Sequence, residues 1–352
     1  MMNDVIENRV IDSLVRRFQR SASQINRPHE SDAELVRLGS GLLLAVTIDT
    51  IAEEISTGLY RDPYLIGWMT VTASMSDLAA VGAQPIGIVL SELLPQSYPD
   101  ADLDRLQHGI EDACSAYQTF VLGGDTNRSD HLVTTGCAIG VISGQGHPVG
   151  RIGCKPGDAL YATGKLGSGN AFAMMQFAGV AGKSFPYQPS ARIREGELLT
   201  PFVSSRMDSS DGFLATLDQL MRLNHVGFTL GDRWAPALSS EAADATTKFG
   251  IPPWLFLAGQ HGEFELVFTV RPESESALHE MCVRNNMNPI RLGEVTRKPE
   301  ISLMLYGATV TLDTARIRNA GSGGDGSVDG YIQQLLRMDA EIRKEVRNHE
   351  YA

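Results

Sequence analysis

The sequence predicts a mixed α and β chain made of two domains. Three observations carry this reading. Runs with helical and with strand-like apolar spacing alternate through both halves. The chain is 352 residues long, enough for two domains of ordinary size. A Gly- and Pro-rich stretch, GQGHPVGRIGCKPGD at 144–158, interrupts the pattern near the middle. The boundary is placed there. It gives domains at 1–150 and 151–315, with a linker and a C-terminal helix at 316–352.

The elements follow in order. Val5, Ile6, Val10, Ile11, Leu14, Val15 and Phe18 lie close to helical spacing and predict an amphipathic helix over 4–20. Residues 42–48 read as a buried strand. Pro63 opens a helix-like run, DPYLIGWMTVTASMSDLAAVGA, whose small residues suit close packing. A strand at 86–94 leads to a helix at 100–118, with Asp100 as its N-cap. Strands follow at 119–122 and 132–143. The second half opens with the strand ALYATG and a glycine turn into KLGSGNAFAMMQFA. A helix at 212–224, a strand at 264–270 and a helix at 274–285 come next. PIRLGEV and ISLMLYG close the domain, GSGGDGS at 321–327 is a flexible linker, and 328–349 is a charged helix.

Composition excludes several classes. Apolar content of 43% and charged content of 20% are those of a soluble globular protein. No stretch approaches about 18 uninterrupted apolar residues, so no membrane span is expected. The first residues mix both charge signs without an apolar block and do not read as a signal peptide. The four cysteines form no CxxC pair, which fits a reducing cytoplasm. A net charge of −12 argues against nucleic acid as the main partner. It leaves room for ATP, which metal and backbone amides can hold.

The most informative feature is a series of acids at the ends of apolar runs. They are LLLAVTID (Asp49), VTASMSD (Asp77), FVLGGD (Asp125) and SSRMDSSD (Asp208 and Asp211). Taken singly, each reads as readily as a helix or turn cap. Taken together, carboxylates sharing a cleft would repel one another, and a hard divalent cation removes that conflict. An Mg²⁺–nucleotide site is therefore expected. GGDT at 123–126 lets backbone approach a polyphosphate. Arg151, in RIGCKPGD, suits bidentate phosphate contact. TGKLGSGNA at 163–171 lacks the Walker A order and reads as a tight strand-to-helix turn. Asp208 and Asp211, three apart at a helix start, can face one cleft. HGEFELVF places Glu263 and Glu265 on one face of a strand. The histidines show no metal-binding spacing.

In order along the chain these motifs resemble the superfamily of aminoimidazole ribonucleotide synthase, and within it the thiamine-monophosphate kinases. The residues are SDAE at 31–34, TID at 47–49, SDLAAVGAQP at 76–85, GGDT at 123–126, RIGCKPGD at 151–158, DSSDG at 208–212, GEFEL at 262–266 and LGEVT at 292–296. The resemblance implies an α+β fold of two α/β domains, with the N-terminal sheets pairing across a homodimer. It implies ATP and Mg²⁺, with Asp32, Asp49, Asp77 and Asp125 on metal. Thr47, Gly123, Gly124, Thr126 and Arg151 would lie near the nucleotide phosphates. Asp208, Ser210 and Asp211 would act from the second domain on metal or phosphate. Glu53, Glu263 and Glu265 fall in regions that would face a small-molecule acceptor. The chain departs from the family pattern in three places: an acidic pair is Ser31-Asp32, EEIST at 53–57 has no histidine, and GEDYEL is shortened to GEFEL.

The activity this implies is phosphoryl transfer from Mg-ATP to a small molecule, which needs positioning and charge neutralisation more than a covalent nucleophile. An ATP-dependent ligase or cyclase, activating an amide or carboxyl oxygen, is the alternative. A nucleotide-binding protein with little turnover is the third reading.

Overall fold

The computed structural model describes residues 4–39, 41–142, 148–177, 187–320 and 328–350. The expected linker at 321–327 and part of the glycine-rich stretch at 144–158 lie outside them. The chain forms two compact bodies. One holds Arg20–Gly150 and Ala173–Pro201. The other holds Met1–Gln19, Arg151–Phe172 and Phe202–Ala352. The first nineteen residues thus belong with the second body, and 173–201 with the first.

In chain order the elements up to the middle are α1 (Ile6–Val15), β1 (Glu34–Arg37), β2 (Leu43–Ile51), α2 (Glu53–Ser56), α3 (Pro63–Val81), β3 (Gln84–Pro95), α4 (Asp100–Ala116), β4 (Val121–Ser129) and β5 (Val133–Ile142). Then come β6 (Ala159–Ala162), α5 (Ser168–Phe177), α6 (Ile193–Leu199), β7 (Val203–Asp208), α7 (Phe213–Asn224), β8 (Gly227–Gly231), α8 (Trp234–Ala237), α9 (Ser240–Phe249) and α10 (Leu255–Ala258). The chain closes with β9 (Leu266–Val270), α11 (Pro272–Arg284), β10 (Ile290–Thr296), β11 (Ile301–Leu305), β12 (Ala308–Leu312), α12 (Thr314–Asn319) and α13 (Val328–Glu350).

The first body is a five-stranded sheet, order β1-β2-β5-β3-β4, with α3 against it and α4 packed on α3. Helix α3 starts where the sequence demands. Asp62 caps it by accepting from the Tyr64 N–H at 3.1 Å, Pro63 fills the first turn, and Gly82 ends it in the left-handed conformation. Most of α3 is buried, as a helix that is apolar all round must be. It meets α4 through two glycines. A Cβ on Gly67 would lie 2.0 Å from the Leu106 carbonyl oxygen, and one on Gly109 2.1 Å from that of Tyr64. Asp100 opens α4 as a first-turn residue rather than its cap; the N-cap is Pro99, with no side-chain bond.

Two faces of this sheet differ. Thr134, Gly136 and Ala138 of β5 are buried, whereas Ile48 of β2 is 66% exposed and Val89 of β3 is 38% exposed. Ile48 and Val89 stand in one row through Cys137 between them. Edge strand β4 is exposed almost throughout, and Phe120 just before it and Val121 and Leu122 at its start hold apolar side chains in solvent.

The second body is a seven-stranded sheet, order β12-β11-β8-β10-β6-β9-β7, mixed in direction. Its core gathers Leu160, Phe213, Leu217, Phe228, Trp254, Leu257, Val267, Leu292 and Leu303. Helix α1 is fastened to this body. The Asn319 side chain accepts from the Ile6 N–H at 2.9 Å, and Asn8 donates to Gln219 at 3.2 Å. Beneath them the fully buried Asp218 holds Arg222 at 2.6 Å and Arg318 at 3.1 Å. Such a buried charge group fits one arrangement of α7 and α12 and penalises others. Among the described residues no helix is long and apolar enough to cross a membrane.

Candidate active site

In the first body Asp32, in the bend before β1, comes together with Asp49 of β2 and Asp77 of α3. Asp49 sits two residues before the end of β2, and Asp77 lies well inside α3. The sequence had placed Asp77 at the end of an apolar run, where a cap reading was open; it lies instead four residues before the end of α3, whose N-cap is Asp62. Thr47 and Asp49, two apart on β2, share the face turned to α3. Thr47 donates its hydroxyl to Asp77, and Ser74 hydrogen-bonds Asp49. One carboxylate oxygen of Asp32 lies within 4.8 Å of one of Asp77.

The electrostatics of this group are unfavourable by themselves. Burial pushes the Asp49 carboxyl above its usual range, the Ser74 hydrogen bond opposes this, and the charge on Asp32 adds to it. Among the described residues the buried Oδ2 of Asp49 has no hydrogen-bond partner, and neither has the buried Oγ of Ser31, next to Asp32. Buried oxygens without donors are costly unless a cation supplies the missing charge. The donor set is all oxygen, which suits magnesium.

Asp125 lies elsewhere. It pairs with Ser91, which pairs with Thr135, which pairs with Thr50. That row faces away from α3. Asp125 is exposed and accepts from the Asn127 amide at 2.6 Å. Gly123, Gly124 and Thr126 are exposed with it, inside β4 rather than in a turn. Glu53 is exposed in the first turn of α2.

In the second body Asp208 ends β7, 2% exposed, and accepts from the Ser210 hydroxyl at 3.2 Å. Ser209–Gly212 then turns into α7. The cap reading of the acids does not hold here: the N-cap is Gly212, with no side-chain cap bond. Asp211 is exposed on the turn. Asn224 ties the start of the body to α7, accepting from the Gly153 N–H and donating to the Arg151 carbonyl, each at 2.8 Å.

Glu263 and Glu265 are not on a solvent-facing strand. β9 begins only at Leu266, and both acids are buried in the irregular segment before it. Phe264 between them takes φ 60°, a left-handed conformation that bulky residues avoid. The acids serve two turns. Glu263 accepts from the Gly167 N–H at 2.8 Å and the Ser209 hydroxyl at 3.2 Å. Glu265 accepts from the Thr163 hydroxyl at 2.5 Å, and its own N–H donates to the Ser209 hydroxyl at 3.1 Å. Burial pushes Glu263 up to about 8; the Gly167 N–H opposes this, the charge of Glu265 adds to it, and Ser209 opposes it. Neighbouring His261 is driven down to about 3 by burial.

One residue that sequence reading passed over is Asn170. Its amide donates to the Phe256 carbonyl at 2.7 Å and accepts from the His261 N–H at 3.1 Å. The glycine turn around it gave a signal, since such turns let backbone pack on backbone, but nothing in the sequence named its partners.

Residues 30–142 match the family described as AIR synthase related protein, N-terminal domain. A thiamine-monophosphate kinase of Halobacterium salinarum is 31% identical, over 66% of this chain and 78% of the relative. The chain belongs to the thiamine-monophosphate kinase family. A second member, from Methanocaldococcus jannaschii, is 26% identical over 75% of this chain and 86% of the relative. The solved structure described as AaThiL complexed with AMPPCP and TMP is 21% identical, with a TM-score of 0.72, covering 88% of this chain and 96% of that one. At that identity the likeness speaks for the fold.

Proposed function

We propose that this chain is an ATP-dependent kinase that transfers the terminal phosphoryl group of Mg-ATP to thiamine monophosphate, giving ADP and thiamine diphosphate. The observation that carries the proposal is the match to thiamine-monophosphate kinases across most of their length. The site chemistry supports it. Asp32, Asp49 and Asp77 are the proposed magnesium ligands of the first body, with Asp49 Oδ2 and Ser31 Oγ as buried oxygens awaiting a partner. When bound, the metal neutralises charge on the transferring phosphate and fixes its orientation.

The remaining roles belong to the chain's own residues. Thr47 orients Asp77 through its hydroxyl. Arg151, Gly123, Gly124 and Thr126 are proposed for the nucleotide phosphates. Asp208, Ser210 and Asp211 are proposed to hold metal or phosphate from the second body. Glu53 is proposed on the acceptor side. Glu263 and Glu265 act there through the turn at 209–212 that they brace. Ser31, where the family pattern has an acid, keeps an oxygen but removes one charge.

A homodimer in the cytoplasm is part of the proposal. The open sheet face with Ile48 and Val89, and the edge strand β4, are surfaces a second copy would cover. Asp125 would then lie at the interface.

The test is an ADP-release assay with Mg-ATP and thiamine monophosphate, with the product read by mass. Thiamine diphosphate is the expected product. Tight Mg-ATP binding with no such product would overturn the acceptor, and release of phosphate with a new carbon–nitrogen bond would move the chain to ligase or cyclase chemistry.

A further inference from the structure

We infer that the C-terminal helix α13 positions the Ser210–Asp211 turn, and that Tyr331 is the residue through which it acts. This rests on the reading of that turn as part of the phosphoryl-transfer site.

Helix α13 docks by one stripe. Tyr331, Leu335, Met338, Asp339, Ile342 and Val346 recur at helical spacing, and Leu335 and Met338 are buried with Trp254, Leu255, Leu257 and Ala258. An apolar stripe alone would tolerate a slip along the helix. The register is fixed by Asp339, only 4% exposed. It accepts from Trp254 Nε1 at 2.8 Å, from the Tyr306 hydroxyl, and from Arg343 Nε at 2.7 Å. A buried carboxylate with three donors fits one register, because any slip strands the charge. Arg316 and Glu341 add a two-pronged surface pair at 2.5 and 3.1 Å.

In that register Tyr331 meets the end of α10 and the residues that follow it. Its hydroxyl donates to the Ala258 carbonyl at 3.4 Å and takes the Gln260 N–H. Burial pushes the phenol well above its usual range, so the proton stays on the oxygen. The Gln260 side chain is itself held, donating to the Arg318 carbonyl at 2.9 Å.

From Gln260 the path to the turn is short and made of backbone. Gly262 N–H donates to the Ser210 carbonyl at 2.9 Å. A Cβ on Gly262 would lie 1.5 Å from the Ser209 carbonyl oxygen, and one on Gly212 2.1 Å from that of Gly259. The two segments therefore touch backbone to backbone, with no flexible side chain between them to absorb a shift. A displacement of Ala258–Gln260 is passed on to Ser209–Gly212. Tyr331 is thus a positioning residue; it acts on Ser210 and Asp211 through residues 258–262.

The experiment is backbone hydrogen exchange on the full chain, wild type against Tyr331→Phe and Val346→Ala. The first removes only a hydroxyl. The second loosens the same helix at its far end. Tyr331→Phe is expected to raise exchange in 258–263 and 207–213 by roughly fivefold, the effect of one ordinary hydrogen bond, with the unfolding midpoint nearly unchanged. Val346→Ala is expected to lower the midpoint without that local effect. Turnover of thiamine monophosphate by Tyr331→Phe should fall while the KM for ATP holds. Unchanged exchange at 207–213 in Tyr331→Phe, or an equal rise in Val346→Ala, would overturn the inference and leave α13 as packing alone. If the wild-type chain makes no thiamine diphosphate, the proposed acceptor falls, and the exchange data still decide this point.

Discussion

Asp49 and Asp125 stand on opposite faces of one five-stranded sheet. Asp49 shares a row with Gly136, Leu90 and Gly124, and Asp125 belongs to the next row, with Ser91, Thr135 and Thr50. Adjacent rows of a sheet point opposite ways. Asp49 is therefore turned to α3 with Asp32 and Asp77, and Asp125 is turned away. Within one chain the sheet separates two acids that the sequence had grouped in one metal-binding cleft.

This separation makes a prediction about assembly. If Asp125 serves the site of a second copy, Asp49→Asn and Asp125→Asn damage a shared site from different chains. Each variant alone should be inactive. Mixed after co-expression, half of the dimers carry both chains, and each such dimer keeps one intact site. About a quarter of wild-type activity should return. No recovery in verified mixed dimers would place both acids in the service of the same chain.

Asp49→Asn also separates metal binding from folding. The buried carboxylate is disfavoured by desolvation and by Asp32, so the amide should fold at least as well in chelator. The wild type should gain about 2.7 kcal/mol from Mg²⁺ at a hundredfold excess over its Kd, and the variant should lose most of that gain. Thermal melts with and without Mg²⁺ check this. An equal magnesium shift in both proteins would remove Asp49 from the ligand set.

The sequence showed most regular elements because their apolar spacing survives in the structure, as in β2, α4 and α7. It failed where the spacing carries no period. GGDT read as a turn lies within β4, whose residues are exposed on both sides and show no alternation. Asp77 does fall inside the helix that Pro63 was expected to open, but that helix is buried all round, so no polar face showed which way Asp77 points. The attachment of α1 rests on Asn8 and Gln219, far apart in sequence, which no local pattern announces. Glu263 and Glu265 are buried in an irregular segment ahead of β9, with Phe264 left-handed between them, and nothing in GEFEL shows that. The candidate acids themselves were legible because isolated carboxylates among small and apolar residues need a reason. Their partition between the two faces of the sheet follows from strand register, which depends on pairing rather than on composition.

Burial of Glu263 and His261 gives opposite pH dependences. Glu263 titrates near 8 when folded and 4.5 when unfolded, so the folded chain holds the extra proton between them. Stability from this group falls as pH rises through that window. His261 titrates near 3 when folded and 6.5 when unfolded, so its contribution rises with pH from 3 to 6.5. The two offset each other from 4.5 to 6.5, and from 6.5 to 8 only the Glu263 loss remains. Glu263→Gln should remove that loss, which reaches at most ~1.4 kcal/mol per pH unit. Denaturant midpoints of both proteins from pH 5 to 8.5 test it. Parallel curves would show that Glu263 is ionised in the folded chain throughout.

Gly262→Ala tests whether the turn at 209–212 depends on the backbone behind it. The added Cβ would meet the Ser209 carbonyl oxygen at 1.5 Å and that of Ser210 at 2.9 Å, so backbone must move. Overpacking of this kind costs roughly 1–3 kcal/mol. The displaced atoms flank Asp211, so turnover should fall further than the lost stability accounts for. Nucleotide affinity should fall less than turnover, because Asp32, Asp49 and Asp77, the proposed magnesium ligands of the first body, are untouched. Gly39→Ala, where a Cβ meets nothing within 4 Å, is the matched control and should behave as wild type. A Gly262→Ala protein that melts earlier yet turns over normally at low temperature would show that the turn keeps its shape without this contact.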